Sequence, residues 1–122
     1  MSAEIVCLML TLRNQIKLYH WQTMSFPRHK ATDELVGKLD DNIDRFVEVY
    51  IGKYGRPKLV GKTALRLRNF HDEEAPALLK EAIDWMTNDL PKKIKSTDVD
   101  LLTIRDEIIA DLDQTLYLFT FH

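Results

Sequence analysis

Cysteine is almost absent from this chain. Cys7 stands alone, which excludes an internal disulfide, and its place in the apolar run around Ile5 and Leu8 reads as a small core residue rather than a reactive thiol. Glycine and proline are scarce as well. Four of each in 122 residues supply too few turns for an all-β chain, which needs one roughly every 8–12 residues. No hydrophobic run approaches the roughly 20 residues that cross a bilayer as a helix, so no membrane partner is expected. The opening segment has Glu4 and no basic cluster, and does not read as a secretory signal. An excess of one charge is missing too. Seventeen Lys and Arg stand against 19 Asp and Glu, a formal net charge of −2. No global field then draws the chain to nucleic acid or lipid, and without a basic tail duplex DNA is not an expected partner. The expectation is one domain over residues 1–122 in a reducing, cytoplasmic compartment. What is present is an ordinary globular mixture, 45% hydrophobic and 30% charged.

The mixture is arranged with helical period. Residues 3–24 carry Ile5, Leu8, Leu12, Ile16 and Tyr19 at steps of three or four, with Ser2 as the expected N-cap. His20 follows Ile16 by four and so points towards the bundle or its edge. Phe26-Pro27 breaks that stretch and opens the next, residues 27–54, with the stripe Leu35, Leu39, Ile43, Phe46 and Tyr50. Gly55 and Pro57 end it. Residues 58–71 form the longest connection, long enough for a hairpin or a crossover. A third stretch, 72–90, carries Leu79, Ala82, Ile83, Met86 and Leu90, and Pro91 marks its end or a kink. A fourth, 98–119, carries Leu101, Ile104, Ile108, Leu112, Thr115 and Phe119, and Thr97 with Asp100 resembles a capping box. The pattern predicts an all-α, up-down-up-down four-helix bundle with Leu35, Leu39, Ile43, Phe46, Ile83, Met86, Ile108 and Leu112 in one core.

The chemistry lies on the second face of the second stretch. At about 100° per residue, His29, Asp33, Gly37, Asp40, Asp44 and Glu48 share one sector opposite Leu35 and Phe46. A solvated acidic face is the bland account of such a row. Against it stand the leading histidine, the flanking Val36 and Val47, and a mid-helix glycine that costs about 1 kcal/mol relative to alanine. His29/Asp33 and Asp44/Glu48 are i,i+4 pairs, each able to converge on one ion. They lie about 16 Å apart along the helix axis, too far to share a metal within one chain. Two copies paired antiparallel about a two-fold axis bring the first pair of one against the second pair of the other, with Gly37 near the crossing. His20 joins from the first stretch. Each of the two resulting sites has two histidines and three carboxylates, a donor set that suits Fe(II), Mn(II) or Zn(II) better than Ca(II).

The segment Tyr19-His20-Trp21, then Phe26, His29, Asp33-Glu34-Leu35, then Leu39, Ile43-Asp44 and Glu48 resembles the Dps branch of the ferritin-like superfamily. These are small iron-oxidising and iron-storing proteins with sites between two-fold-related subunits. The resemblance is specific over about residues 12–54 and only a helical pattern beyond. It implies a ferroxidase with iron (Fe2+/Fe3+) as its metal, Zn or Mn as substitutes, and self-association as a two-fold dimer or larger cage. It also implies His20, His29, Asp33, Asp44 and Glu48 as ligands and Trp21 beside the site. Divergent Dps-like proteins also occur in large viruses and phages, so a phage-encoded origin is a further expectation. The chain departs from the pattern in its shortness, in the short link from His20 to His29, and in lacking a Lys-rich tail. It also has no ExxH sequence, so an intrachain di-iron site of the classical ferritin type is not expected. The rival expectation is a ferritin-like structural or interaction protein without redox activity. Residues 53–71 hold Lys53, Arg56, Lys58, Lys62, Arg66 and Arg68 and no acid; they read as a solvated loop balancing nearby carboxylates, with phosphate contact as the alternative. Trp85 is expected at the core or an interface, and His71 at the start of the third helix without a catalytic task.

Overall fold

The computed structural model describes residues 3–122. Four helices carry the fold, and there is no strand among the described residues. Helix α1 spans Glu4–Gln22, α2 Phe26–Tyr54, α3 Ala75–Asp84 and α4 Val99–Leu118. The N-cap expected at Ser2 lies outside the described residues.

Local chemistry sets the boundaries. Ser25 caps α2, its hydroxyl accepting from Arg28 N at 3.3 Å, and Pro27 sits in the first turn, where no partner for its nitrogen is needed. Gly55, at φ 87°, ends α2 in a conformation that a side chain would resist. Pro91 shapes the end of α3. Its ring and missing N–H cannot continue an α-helix, so the helix loosens beforehand into a π turn, Trp85–Asp89, in which Leu90 N–H reaches back to Trp85 O. A 3-10 turn, Leu90–Lys93, follows. The capping box expected at Thr97 and Asp100 is not formed. Asp98 is the N-cap residue of α4, and its carboxylate accepts from Tyr54 OH and from Lys95 N instead.

The expected up-down-up-down order needs correction: α1 runs up, α2 down, α3 down and α4 up. Arg13 to Asp40 and His20 to Thr32 make α1 and α2 antiparallel. Lys38 to Gln114, Asn42 to Asp111 and Tyr54 to Asp98 do the same for α2 and α4. Asp72, just before α3, and Phe119, just after α4, both meet Arg28, while Arg105 early in α4 reaches Met86 O just after α3, so α3 and α4 are antiparallel. Residues 55–74 therefore return along the whole bundle. The physical reason is that both ends of this segment are tied at opposite ends of the molecule. Tyr54 is held at one by Asp98. At the other, Asp72 accepts from Tyr19 OH at 2.7 Å and Thr23 Oγ1 at 2.6 Å. The 29-residue α2 is about 43 Å long, a span that an extended connection at about 3.3 Å per residue covers. Midway, the buried Gln15 side chain clamps it, donating to Arg68 O at 2.5 Å and accepting from Arg68 N at 2.9 Å.

One hydrophobic cluster holds the four helices together. Leu35, Leu39, Ile43, Phe46, Met86, Ile108 and Leu112 are buried in it as expected. Ile83 is only half-buried, because Leu79 and Met86 take the inward positions of that helix. In α1 the stripe is displaced likewise: Met9 is fully buried while Leu8 is 37% exposed.

Candidate metal centre

The top of the bundle, where α1 ends and α2 begins, holds the two histidines. His20 is only 6% exposed. Its Nδ1 lies 2.9 Å from Thr32 Oγ1, and that hydroxyl donates its one proton to Arg28 O at 2.7 Å. Thr32 must therefore accept, so Nδ1 of His20 carries the ring proton. His29 Nδ1 lies 2.9 Å from His20 O. A carbonyl only accepts, so this Nδ1 is protonated too. In the neutral form each ring then keeps Nε2 as a free lone pair. The rings stack with centroids 4.0 Å apart and planes 16° apart. Burial pushes the His20 pKa down, and the electrostatic effects of His29 and Lys17 add to it, while the backbone hydrogen bond with His29 and the charge of Asp33 oppose it. His20 is thus held neutral near pH 7, the form in which imidazole binds a metal.

The short link from His20 to His29 brings the two rings together, since α1 and α2 meet in a tight antiparallel turn at Thr23–Ser25. Asp33 is exposed one turn beyond His29. Asp44 and Glu48 are exposed further down the same helix. The hydrogen bond with Asp44 and its charge push the Glu48 pKa up, as two carboxyls sharing one small region do. Neither forms an ion pair among the described residues. Asp40, between the two pairs, is bound by Arg13 at 2.8 Å. The structure thus brings His20 and His29 together, places Asp33 near them, and keeps Asp44 and Glu48 apart as a second pair. Among the described residues, no group of three or more His, Cys, Asp or Glu within the chain is placed to hold a metal.

Gly37 is exposed, and a Cβ placed there would meet nothing within 4 Å. Packing within the chain does not require this glycine. Trp21 is 67% exposed, 6.4 Å from the His20 ring, with Lys17 Nζ 5.1 Å from its own ring centre. Trp85 is half-buried against the core and His71 is exposed.

Two supports of this region were missed in the sequence. Thr32 orients His20; the available signal was a polar β-branched residue three before Leu35 on the core stripe. Arg28 was the other. Its guanidinium donates to Tyr19 OH at 3.1 Å and to Asp72 O, and lies 4.8 Å from the Phe119 ring centre. Burial would raise the Asp72 pKa, but hydrogen bonds from Thr23, Tyr19 and Met24 and the charge of Arg28 outweigh it and hold the carboxylate low.

Residues 20–119 match the model of a family described as a family of unknown function, DUF5856. The chain is also 38% identical over 53 residues to an uncharacterized 14.6 kDa protein in the mobD-ri intergenic region of Enterobacteria phage T4. That alignment covers 43% of this chain and 41% of the phage protein, so the chain spans less than half of its relative's length. A phage relative is compatible with a phage-encoded origin. No solved structure matches. No helix among the described residues is long and apolar enough to cross a membrane.

Proposed function

The chain belongs to the family of unknown function DUF5856, and from that premise we propose that it is a Dps-like, ferritin-like iron protein whose oxidation site forms between two copies. Iron is the substrate: Fe(II) binds, is oxidised to Fe(III), and is held as ferric mineral where copies close a cage. One observation carries the reading. His20 and His29 each commit Nδ1–H to a fixed acceptor of their own chain and leave Nε2 free, the arrangement in which metal-binding histidines are held. Asp33 supplies the first carboxylate, and Asp44 and Glu48 of a second copy complete the set. The vacant surface over Gly37 gives that second helix room to cross. The single long crossover between α2 and α3 supports the ferritin-like part of the proposal.

The chemistry follows from the donors. Neutral imidazoles bind Fe(II), and the carboxylates favour the Fe(III) that forms. Two Fe(II) give one electron each to a peroxide, which takes two protons and leaves as two waters; dioxygen is the alternative oxidant. Trp21, at the surface beside His20, is placed to intercept stray oxidising radicals. Zn(II) would occupy the same donors without redox change.

A second reading rests on Asp40. Its ion pair with Arg13 is what a solvated helix face would also form, and on that reading the bundle is a structural or interaction protein. Anaerobic Fe(II) titration followed by peroxide addition separates the two. The iron reading expects saturable binding and a ferric absorbance that rises faster than in buffer, both lost in His29→Ala and in Asp44→Asn/Glu48→Gln. The structural reading expects neither saturation nor acceleration.

A further inference from the structure

Away from the histidines, the crossover segment roofs a groove of about 280 Å3 between α1 and α3. Three elements line it, each with its own period. The extended stretch presents every second residue, Arg66, Arg68 and Phe70. Helix α1 contributes Leu12 and Gln15, α3 contributes Leu78 and the π turn after it Trp85, with Leu8 and Ala82 alongside. The floor is apolar and aromatic, and two cations stand over it.

One of those cations is held in place. Gln15 fixes the backbone of Arg68 through two hydrogen bonds, and the Arg68 guanidinium lies 4.5 Å from the Phe70 ring centre. Arg66 forms no ion pair among the described residues. Glu81, on the opposite wall, is the single acid of the lining. The lining therefore carries a net charge of one positive unit, which matches one negative charge on an occupant and disfavours a dianion. The volume is about nine times the roughly 30 Å3 share of a water molecule, room for an apolar body of about nine heavy atoms.

We propose that this groove binds a small amphipathic carboxylate, its apolar body on Phe70 and Trp85 and its head group on Arg66 and Arg68. Guanidinium and carboxylate match in shape and charge, and the two arginines reach the rim from one side of an extended strand. This site is separate from the histidine pair and does not depend on how that pair acts.

Octanoate is the probe. In a Trp21→Phe background Trp85 is the sole indole, and its emission reports the groove. Octanoate is expected to shift that emission saturably, and the uncharged 1-octanol to bind at least about tenfold more weakly, the effect of losing a charge-assisted bond. Arg66→Ala, an exposed change outside the core, should weaken octanoate, and the Arg66→Ala/Arg68→Ala double variant more so. Arg68→Lys should recover part of the loss, as a point charge without the planar fork. Helical content by circular dichroism confirms that each variant is folded. Equal affinity for octanol, unchanged octanoate binding in the folded double variant, or no saturable shift at millimolar octanoate would each overturn the proposal.

Discussion

The two ends of one face of α2 are built differently. At the upper end the chain finishes its own work: His20 and His29 are stacked, each ring is oriented by a hydrogen bond, and Thr32 and Arg28 tie that region to α1 and to the segment at Asp72. At the lower end Asp44 and Glu48 face outward as an acidic pair whose closeness raises the Glu48 pKa. The upper end is organised from within, and the lower end is left uncompensated. In the proposed dimer, the pre-oriented imidazoles of one copy and the unneutralised carboxylates of the other would be complementary halves joined across a two-fold axis.

The largest effect expected tests the platform common to both ends. Phe46 is fully buried on the core side of α2, between Asp44 and Glu48 in sequence. Phe46→Ala should cost about 3–5 kcal/mol in urea denaturation; a cost below about 1 kcal/mol would misplace the core face. Thr32→Val sharpens the contrast between the ends. It keeps the shape but removes the acceptor of the buried His20 Nδ1–H, and should cost about 1–3 kcal/mol. Glu48→Gln, at the other end, should leave stability unchanged or raise it, because it relieves a like-charge contact. Equal losses from the two would erase the distinction.

Gly37 separates folding from assembly. With open space around it in the chain, Gly37→Ala should raise the stability of the monomer by up to about 1 kcal/mol. Gly37→Leu should weaken self-association in sedimentation while circular dichroism stays unchanged. A Leu variant that sediments like the wild type would place the interface elsewhere.

The smallest effects expected are those of pH on the metal-free protein, and the two ends should oppose each other. The His20 pKa is lowered on folding, chiefly by burial. The unfolded chain therefore binds more protons below the ordinary histidine range near 6.5. The contribution of neutral His20 is complete above that range and is lost as pH falls through it towards the folded value. Glu48 has its pKa raised by Asp44. Its protonation relieves the acidic pair, so its contribution grows as pH falls through the raised value. Urea midpoints measured from pH 7.5 downward, about a unit above the histidine range, should show the first loss blunted in His20→Asn and the second gain absent in Glu48→Gln.

The sequence made some of these features legible and hid others for physical reasons. Helix identity and most of the core follow from short-range periodicity, so the stripes of α2 and α4 matched well. Leu8 and Met9 are adjacent in an apolar run, and there periodicity alone does not decide which faces inward. The direction of α3 was hidden because it depends on distant ties, Gln15 to Arg68 and Tyr19 to Asp72, that no local pattern announces. The cap of α4 was hidden for the same reason, since Asp98 is claimed by Tyr54 from another helix. At the candidate site, the register of His20 after Ile16 pointed inward and the structure puts it there. The stacking on His29 and the role of Thr32 depend on how tightly α1 turns into α2, a tertiary fact.

The most direct test of the two-halves account is complementation. One variant, His29→Ala/Asp33→Ala, lacks the upper half; the other, Asp44→Ala/Glu48→Ala, lacks the lower. Each alone should bind no iron as a homodimer, because both symmetric sites then lack one half. Mixed and exchanged, with exchange verified by native mass and folding by circular dichroism, a hybrid dimer joins the two intact halves at one of its sites and none at the other. Iron bound per hybrid dimer should return to about half of the wild-type value, a count of intact sites on a symmetric interface, and rapid Fe(II) oxidation should return with it. Full binding by either variant alone, or exchange without recovery, would contradict the account.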